Sequence, residues 1–158
     1  MINVLFVCLG NICRSPMADG VFAHRVKEAG LANQIQVDSA GTSGWHVGEV
    51  AHRGTLNVLK KHDVPYNGRA RQFISKDSER FTYILPMDRS NLADIKRLIG
   101  DETDAEVVMF LSYANKAGLT DVTEVPDPYY DGRFDEVYDL VETGSKALLD
   151  HIRKTHNL

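Results

Sequence analysis

The sequence predicts an α/β fold: a single domain over residues 1–158, with helices on both faces of a doubly wound, four-stranded parallel sheet. Three observations carry that prediction. Short runs of branched apolar residues alternate with amphipathic stretches of helical period, the pattern of a parallel sheet covered on both sides. The 158 residues match the length of one domain and can bury a sizeable core. No repeat, low-complexity tract or long linker divides them.

The elements follow in order. Ile2 to Val7 reads as a buried strand. Ser15-Pro16 reads as an N-cap followed by proline at the first helical position, with Asp19 in the first turn. Met17, Val21, Phe22, Val26 and Ala29 then share one helical face, and Gly30 stops the helix. Ile35 to Ser39 is a second strand. Leu56 and Leu59 mark a helix from Arg53 to His62, ended at Asp63-Val64-Pro65 because the residue before proline avoids helical geometry. Phe81 to Met87 is a third strand, with Pro86 tolerable near its end. Leu92, Ile95 and Ile99 mark a helix closed by Gly100, and Glu106 to Leu111 a fourth strand. Phe134, Val137, Val141, Leu148 and Ile152 mark a long final helix.

Composition narrows the function. The chain is 43% hydrophobic and 25% charged, which excludes a wholly disordered or collagen-like chain. A formal charge of -4 argues against a general nucleic-acid binder. No stretch is apolar enough to cross a bilayer, and the first ten residues show no signal-peptide pattern. The two cysteines, Cys8 and Cys13, are too few for a disulfide scaffold and suit a reducing cytoplasm.

In parallel α/β sheets, ligands bind beyond the carboxyl ends of the strands. The segment Val7-Cys8-Leu9-Gly10-Asn11-Ile12-Cys13-Arg14-Ser15-Pro16 leaves the first strand there. Strand, glycine-containing loop and helix form an anion cradle: successive N–H groups turn inward, and the helix N-terminus adds positive charge. Gly10 and Asn11 best tolerate left-handed backbone, and the planar fork of Arg14 holds two phosphate oxygens. The field that attracts phosphate also favours a thiolate, which makes Cys8 a nucleophile aimed at phosphorus. Ser15 is near enough in sequence to offer its hydroxyl to that sulfur. A Walker loop is excluded because no Gly-Lys-Ser/Thr follows. Two cysteines without further ligands make no zinc site, so no metal and no cofactor are expected.

Val7 to Pro16 resembles the phosphate-binding loop of the low-molecular-weight protein tyrosine phosphatases. The resemblance recurs at Asp38-Ser39-Ala40-Gly41-Thr42 with Trp45-His46, at Ala70-Arg71-Gln72, at Met87-Asp88 with Asn91, and at Asp127-Pro128-Tyr129-Tyr130. It implies a metal-independent hydrolase acting on phosphotyrosine in proteins through a phosphocysteine. Cys8, Arg14 and Asp127 would be catalytic, with Asp127 as the general acid and base. Flanked by Pro126 and Pro128, Asp127 has a constrained backbone. Asn11 and Ser39 resemble a pair that holds the loop by hydrogen bonding. Leu9, Gly10, Ile12, Cys13 and Ser15 complete the cradle. Leu9, Trp45, Tyr129 and Tyr130 would wall a slot for a phenyl ring. A Cys8–Cys13 disulfide that shields Cys8 and a simple packing role for Cys13 both stay open. So do a site role and a helix-cap role for Asp88. The six histidines show no ligand spacing, so solvated or capping roles are expected of them. A monomer with weak self-association is expected.

Three rivals are set aside on residues. Thioredoxin-coupled arsenate reductases need a further cysteine pair, and none follows Cys13. Protein arginine phosphatases carry threonine where Ile12 stands and lack the aromatic wall. Phosphocysteine carriers need no acid such as Asp127. Thr82, Gly68 and the stretch Gly48 to His52 depart from the family pattern, which predicts changes at the rim and in the support of the loop.

Overall fold

The computed structural model describes residues 1–158. In chain order its elements are β1 (Ile2–Cys8), α1 (Arg14–Glu28), β2 (Ile35–Gly41), α2 (Arg53–Lys61), α3 (Asp77–Arg80), β3 (Tyr83–Pro86), α4 (Arg89–Ile99), β4 (Glu106–Val107), α5 (Ser112–Lys116) and α6 (Phe134–His156). Val4 to Cys8 are all buried, and their alternation feeds two cores. Val4, Phe6 and Cys8 face the larger one; Leu5 and Val7 face the smaller. That division is the strand period of two applied to a sheet covered on both sides.

All strands are parallel, in the order β2-β1-β3-β4. The predicted α/β sheet is present, but its faces are unequal. Residues of α1, α2, α5 and α6 build the larger core, where Phe6 meets Phe22 and Phe110 edge-on at 5.7 and 5.2 Å. On the other face Ile95 of α4 packs with Leu5, Ile84 and Phe73. All five apolar residues read as the face of the last helix are buried along α6.

The chain leaves β1 toward β2 on one side and later returns to its other side as β3. The carboxyl end of β1 is thus a topological switch point, where such sheets open a crevice. The loop after Cys8 lies there.

Several boundaries differ from the sequence reading. α1 begins at Arg14, and its N-cap is Cys13 without a side-chain bond. Ser15 is therefore no cap, Pro16 is the third helical residue, and Asp19 lies beyond the first turn. Proline is still harmless there, because its missing N–H is one of the four that a helix start leaves unpaired. The regular fourth strand stops at Val107, although Val108 N and Phe110 N still donate to the carbonyls of Ile84 and Pro86 in β3, at 3.3 and 2.9 Å, while the Phe110 and Leu111 side chains are buried near Gly144 of α6. The short helices α3 and α5 had no sequence signal.

Gly144 shows why α6 can lie so close. A Cβ there would sit 2.6 Å from Phe110 Cζ and 3.0 Å from Leu111 Cδ2. Alanine is normally the better helix former, by roughly 1 kcal/mol. We expect Gly144→Ala to destabilise nonetheless, by about 1–3 kcal/mol through overpacking. Urea denaturation with an unchanged slope and a lower midpoint would show it; a higher midpoint would contradict the packing argument.

Candidate active site

The loop between β1 and α1 has one strained residue. Asn11 adopts φ 57°, whereas Gly10 keeps ordinary geometry; the glycine is needed instead for space, since a Cβ would lie 3.0 Å from His46 Cδ2. The Asn11 side chain holds the strained turn from three directions. Its Nδ2 donates to Ser15 Oγ at 2.8 Å and to Ser39 Oγ at 3.0 Å, and its Oδ1 accepts from Arg71 N at 3.0 Å. Asn11 and Ser39 are therefore brought together as expected.

The backbone groups of the loop are sorted by polarity. The carbonyls of Cys8 and Leu9 accept from the N–H groups of Thr42 and Ser43, both at 2.9 Å. The carbonyl of Ile12 accepts from His52 N at 2.7 Å, and that of Cys13 from the Thr55 hydroxyl at 2.9 Å. No protein group accepts from the N–H groups of Leu9 to Cys13. Buried N–H groups are rarely left unpaired. A run of them curled over a helix N-terminus is a site for a multi-oxygen anion.

Cys8, 3% exposed, sits at the base, with Ser15 Oγ 3.0 Å from its sulfur. Arg14 is 3% exposed and runs alongside: its Nη1 donates to Asp88 Oδ2 at 2.7 Å and to the Val125 carbonyl at 3.1 Å. Burial opposes its charge, but Cys8, Asp88 and Asp127 outweigh burial and hold the guanidinium more firmly protonated than usual. Asp88 is a helix cap and also contacts the arginine of the cleft. Its Oδ1 caps α4 through Asn91 N at 2.8 Å while Oδ2 clamps Arg14. Cys13 is a contrast within the same loop: burial first, then the Cys8 and Asp127 charges, push its thiol up to about 12 against the pull of Arg14. Both cysteines are free thiols.

Asp127 stands at the mouth. Its Oδ2 is 3.8 Å from Arg14 Nη2, and its Oδ1 accepts from Tyr129 N at 3.1 Å, which fixes the carboxyl direction. The cleft between holds about 180 Å³ and is walled by Leu9, Ile12, Trp45, His46, Tyr129 and Tyr130. Its base is closed and its rim is open: Trp45 is 79% and Tyr130 91% exposed. Tyr129 is braced edge-on by Tyr130 at 4.8 Å and by His52 at 5.7 Å, and His52 stacks on Phe134 at 5.0 Å.

Sequence reasoning gave no site role to two histidines, although His46 lies in the Trp45-His46 pair that carried part of the resemblance. His46 lines the cleft with Nδ1 2.8 Å from Glu49 Oε2. His52 caps α2 by accepting from Gly54 N, as a capping role predicts, but it also supports Tyr129. Spacing alone marks neither; for His46 the signal was its neighbour Trp45, already read as a wall of the slot. One departure is also relocated. Thr82 bonds Asn3 at the opposite end of the sheet, so it does not touch the rim.

A thiol at the base of a loop whose N–H groups have no protein acceptor, an arginine beside it and a carboxyl at the mouth fit the arrangement of a cysteine-dependent phosphatase. Comparison with known proteins agrees. The model of the low molecular weight phosphotyrosine protein phosphatase family matches residues 3–158, and the chain belongs to that family. It is 42% identical to the low molecular weight protein-tyrosine-phosphatase YfkJ of Bacillus subtilis, over all of both chains. It is 40% identical to PtpA of Staphylococcus epidermidis, over all of this chain and 98% of that one. The crystal structure of YfkJ superposes with a TM-score of 0.93, covering 98% of this chain and 96% of that one. A Drosophila arginine phosphatase also superposes, with a TM-score of 0.87 at 30% identity, over 97% of this chain and 98% of that one. No helix is long and apolar enough to cross a membrane.

Proposed function

We propose that this phosphatase hydrolyses phosphotyrosine in proteins in two steps. Cys8 Sγ attacks phosphorus; the S–P bond forms as the bond to the tyrosine oxygen breaks, and Asp127 gives that oxygen its proton. Water then attacks the phosphocysteine, Asp127 takes the water's proton, the S–P bond breaks, and inorganic phosphate leaves. Arg14 and the amides from Leu9 to Cys13 supply the positive charge that spreading phosphoryl charge requires, so the step is mainly positioning and electrostatics. The Ser15 hydroxyl eases departure of the thiolate. The observation that carries this reading is the sorting of the loop's backbone: carbonyls bonded outward, N–H groups unpaired around a buried sulfur. The two free thiols suit a reducing cytoplasm, and the monomer is the working unit.

Leu9, Trp45, Tyr129 and Tyr130 select the substrate by enclosing a flat ring above the phosphate. The likeness to an arginine phosphatase favours a second reading, in which the slot takes phosphoarginine. Phosphate release from phosphotyrosine and phosphoarginine peptides of one sequence, with a chelator present, separates the two. Strong preference for phosphotyrosine is the expected result. Preference for phosphoarginine would keep Cys8, Arg14 and Asp127 in their roles and overturn the substrate assignment.

A further inference from the structure

The segment that leads from Asp127 to α6 is held to the rest of the chain by packing more than by hydrogen bonds. Just before it, Val125 is tied on both sides: its N–H donates to the Met87 carbonyl at 3.0 Å, and its carbonyl accepts from Arg14 at 3.1 Å. From residue 127 to 133 every hydrogen bond is local. Tyr129 N donates to Asp127, Arg133 N to Asp131, and Gly132 N to the Pro128 carbonyl at 2.9 Å. Such bonds shape a turn without fixing its place over the cleft. The ion pair of Asp127 with Arg14 does reach across, but it is long at 3.8 Å.

A set of rings supplies the placement. His52, at the start of α2, meets Tyr129 edge-on at 5.7 Å and 68° and stacks on Phe134 at 5.0 Å and 20°. Phe134 is buried and opens α6. Gly54 lies so close to the same ring that a Cβ would come 2.4 Å from Phe134 Cε2. The first turn of α2 is thus packed on the first residue of α6, and His52 carries that fixed contact outward to Tyr129.

Tyr129 passes the position on twice. Its ring walls the cleft. Its N–H donates to Asp127 Oδ1 at 3.1 Å. A shift of residue 129 therefore moves the wall and turns the carboxyl together.

His52 also has a separate task. Its Nδ1 accepts from Gly54 N at 2.9 Å and caps α2. The cap requires an acceptor, whereas the brace requires a ring. Histidine combines the two, and each can be removed alone.

We propose that His52 is a positioning residue of this enzyme: its ring sets Tyr129 against the aryl group of the substrate and, through the Tyr129 N–H, aims the Asp127 carboxyl at the leaving oxygen. The inference rests on the phosphatase reading of the cleft.

Two variants test it. His52→Asn keeps a capping acceptor and deletes the ring; His52→Phe keeps a ring and deletes the acceptor. Inhibition constants for phenylphosphonate and for inorganic phosphate are measured against p-nitrophenyl phosphate hydrolysis. Both anions fill the cradle, and only the first reaches the wall. In His52→Asn the phenylphosphonate constant should rise about two- to tenfold, the worth of one aromatic contact, with the phosphate constant held within about twofold. Its kcat/KM should fall further for phenyl phosphate than for p-nitrophenyl phosphate, because a misaimed acid matters most to the poorer leaving group. His52→Phe should return these readings toward the parent while lowering the thermal midpoint, since the cap is gone. Equal losses for the two anions, an unchanged phenylphosphonate constant, or equal falls for the two esters overturn the proposal. So does a His52→Phe protein as impaired as His52→Asn, because the ring would then not be the feature that counts. An inactive parent overturns the phosphatase reading instead. If His52→Asn does not fold, His52→Phe decides alone: a parent-like phenylphosphonate constant supports the brace, and a raised one refutes it.

Discussion

Cys8→Ser is expected to lower turnover by at least about 10⁴-fold while leaving phosphotyrosine binding nearly intact. Only one atom changes, and it is the atom that the proposed mechanism bonds to phosphorus. A serine hydroxyl there lacks a general base, because the neighbouring groups are Ser15, the loop amides and a buried arginine. The anion cradle does not depend on the sulfur: its carbonyls are tied to Thr42, Ser43, His52 and Thr55. The serine variant should therefore bind a phosphotyrosine peptide in calorimetry with affinity within about tenfold of the parent KM, since Arg14 and the amides are unchanged. Residual turnover within tenfold of the parent would remove Cys8 from the chemistry. Lost binding with retained fold would mean that the sulfur helps to shape the cradle.

Asp127→Asn should cost about 10²–10⁴-fold in kcat, the usual worth of a positioned general acid. The variant keeps a side-chain oxygen that can accept from Tyr129 N, so the turn geometry of this half-exposed residue survives. What it loses is the proton. The signature is a dependence on the leaving group: the loss should be severe for phenyl phosphate and much smaller for p-nitrophenyl phosphate, whose phenolate leaves without help. Rates across a series of aryl phosphates measure that slope. Equal losses for good and poor leaving groups would make Asp127 a phosphate-orienting residue near Arg14 rather than an acid.

Much of this site is legible in the sequence because it is local. Cys8 to Ser15 are consecutive, so their strand, glycine-bearing turn and helix start can be read directly. The residues that hold the loop come from far along the chain. The contacts of Ser39 and Arg71 with Asn11 span 28 and 60 residues, and no periodicity announces such a meeting; for Ser39 only family resemblance did. Asp88 looked like a helix cap and is one, but its second oxygen serves Arg14, and a local pattern cannot reveal a partner 74 residues away.

The misread boundaries have similar causes. Ser15-Pro16 has the pattern of a helix start, yet the helix begins one residue earlier, at Arg14, with Cys13 as its N-cap. Ser15 then points at the sulfur instead of capping. The fourth strand was read longer than its regular part because Val108 to Leu111 is as apolar as a strand. Val108 and Phe110 do still donate to β3 carbonyls, but Leu111 turns into α5, and burial near α6 alone does not mark where regular pairing ends.

The exposed rim has a spectroscopic consequence. Trp45 is the single tryptophan of the chain, and it stands 79% exposed on the wall of the cleft. Its emission should already be red-shifted in the native protein, and a denaturation followed by its wavelength would show little change. Loss of structure is better followed by far-ultraviolet circular dichroism. The same indole is a built-in probe of occupancy, because an aromatic ligand entering the slot should protect it from acrylamide quenching, whereas inorganic phosphate at the base should not.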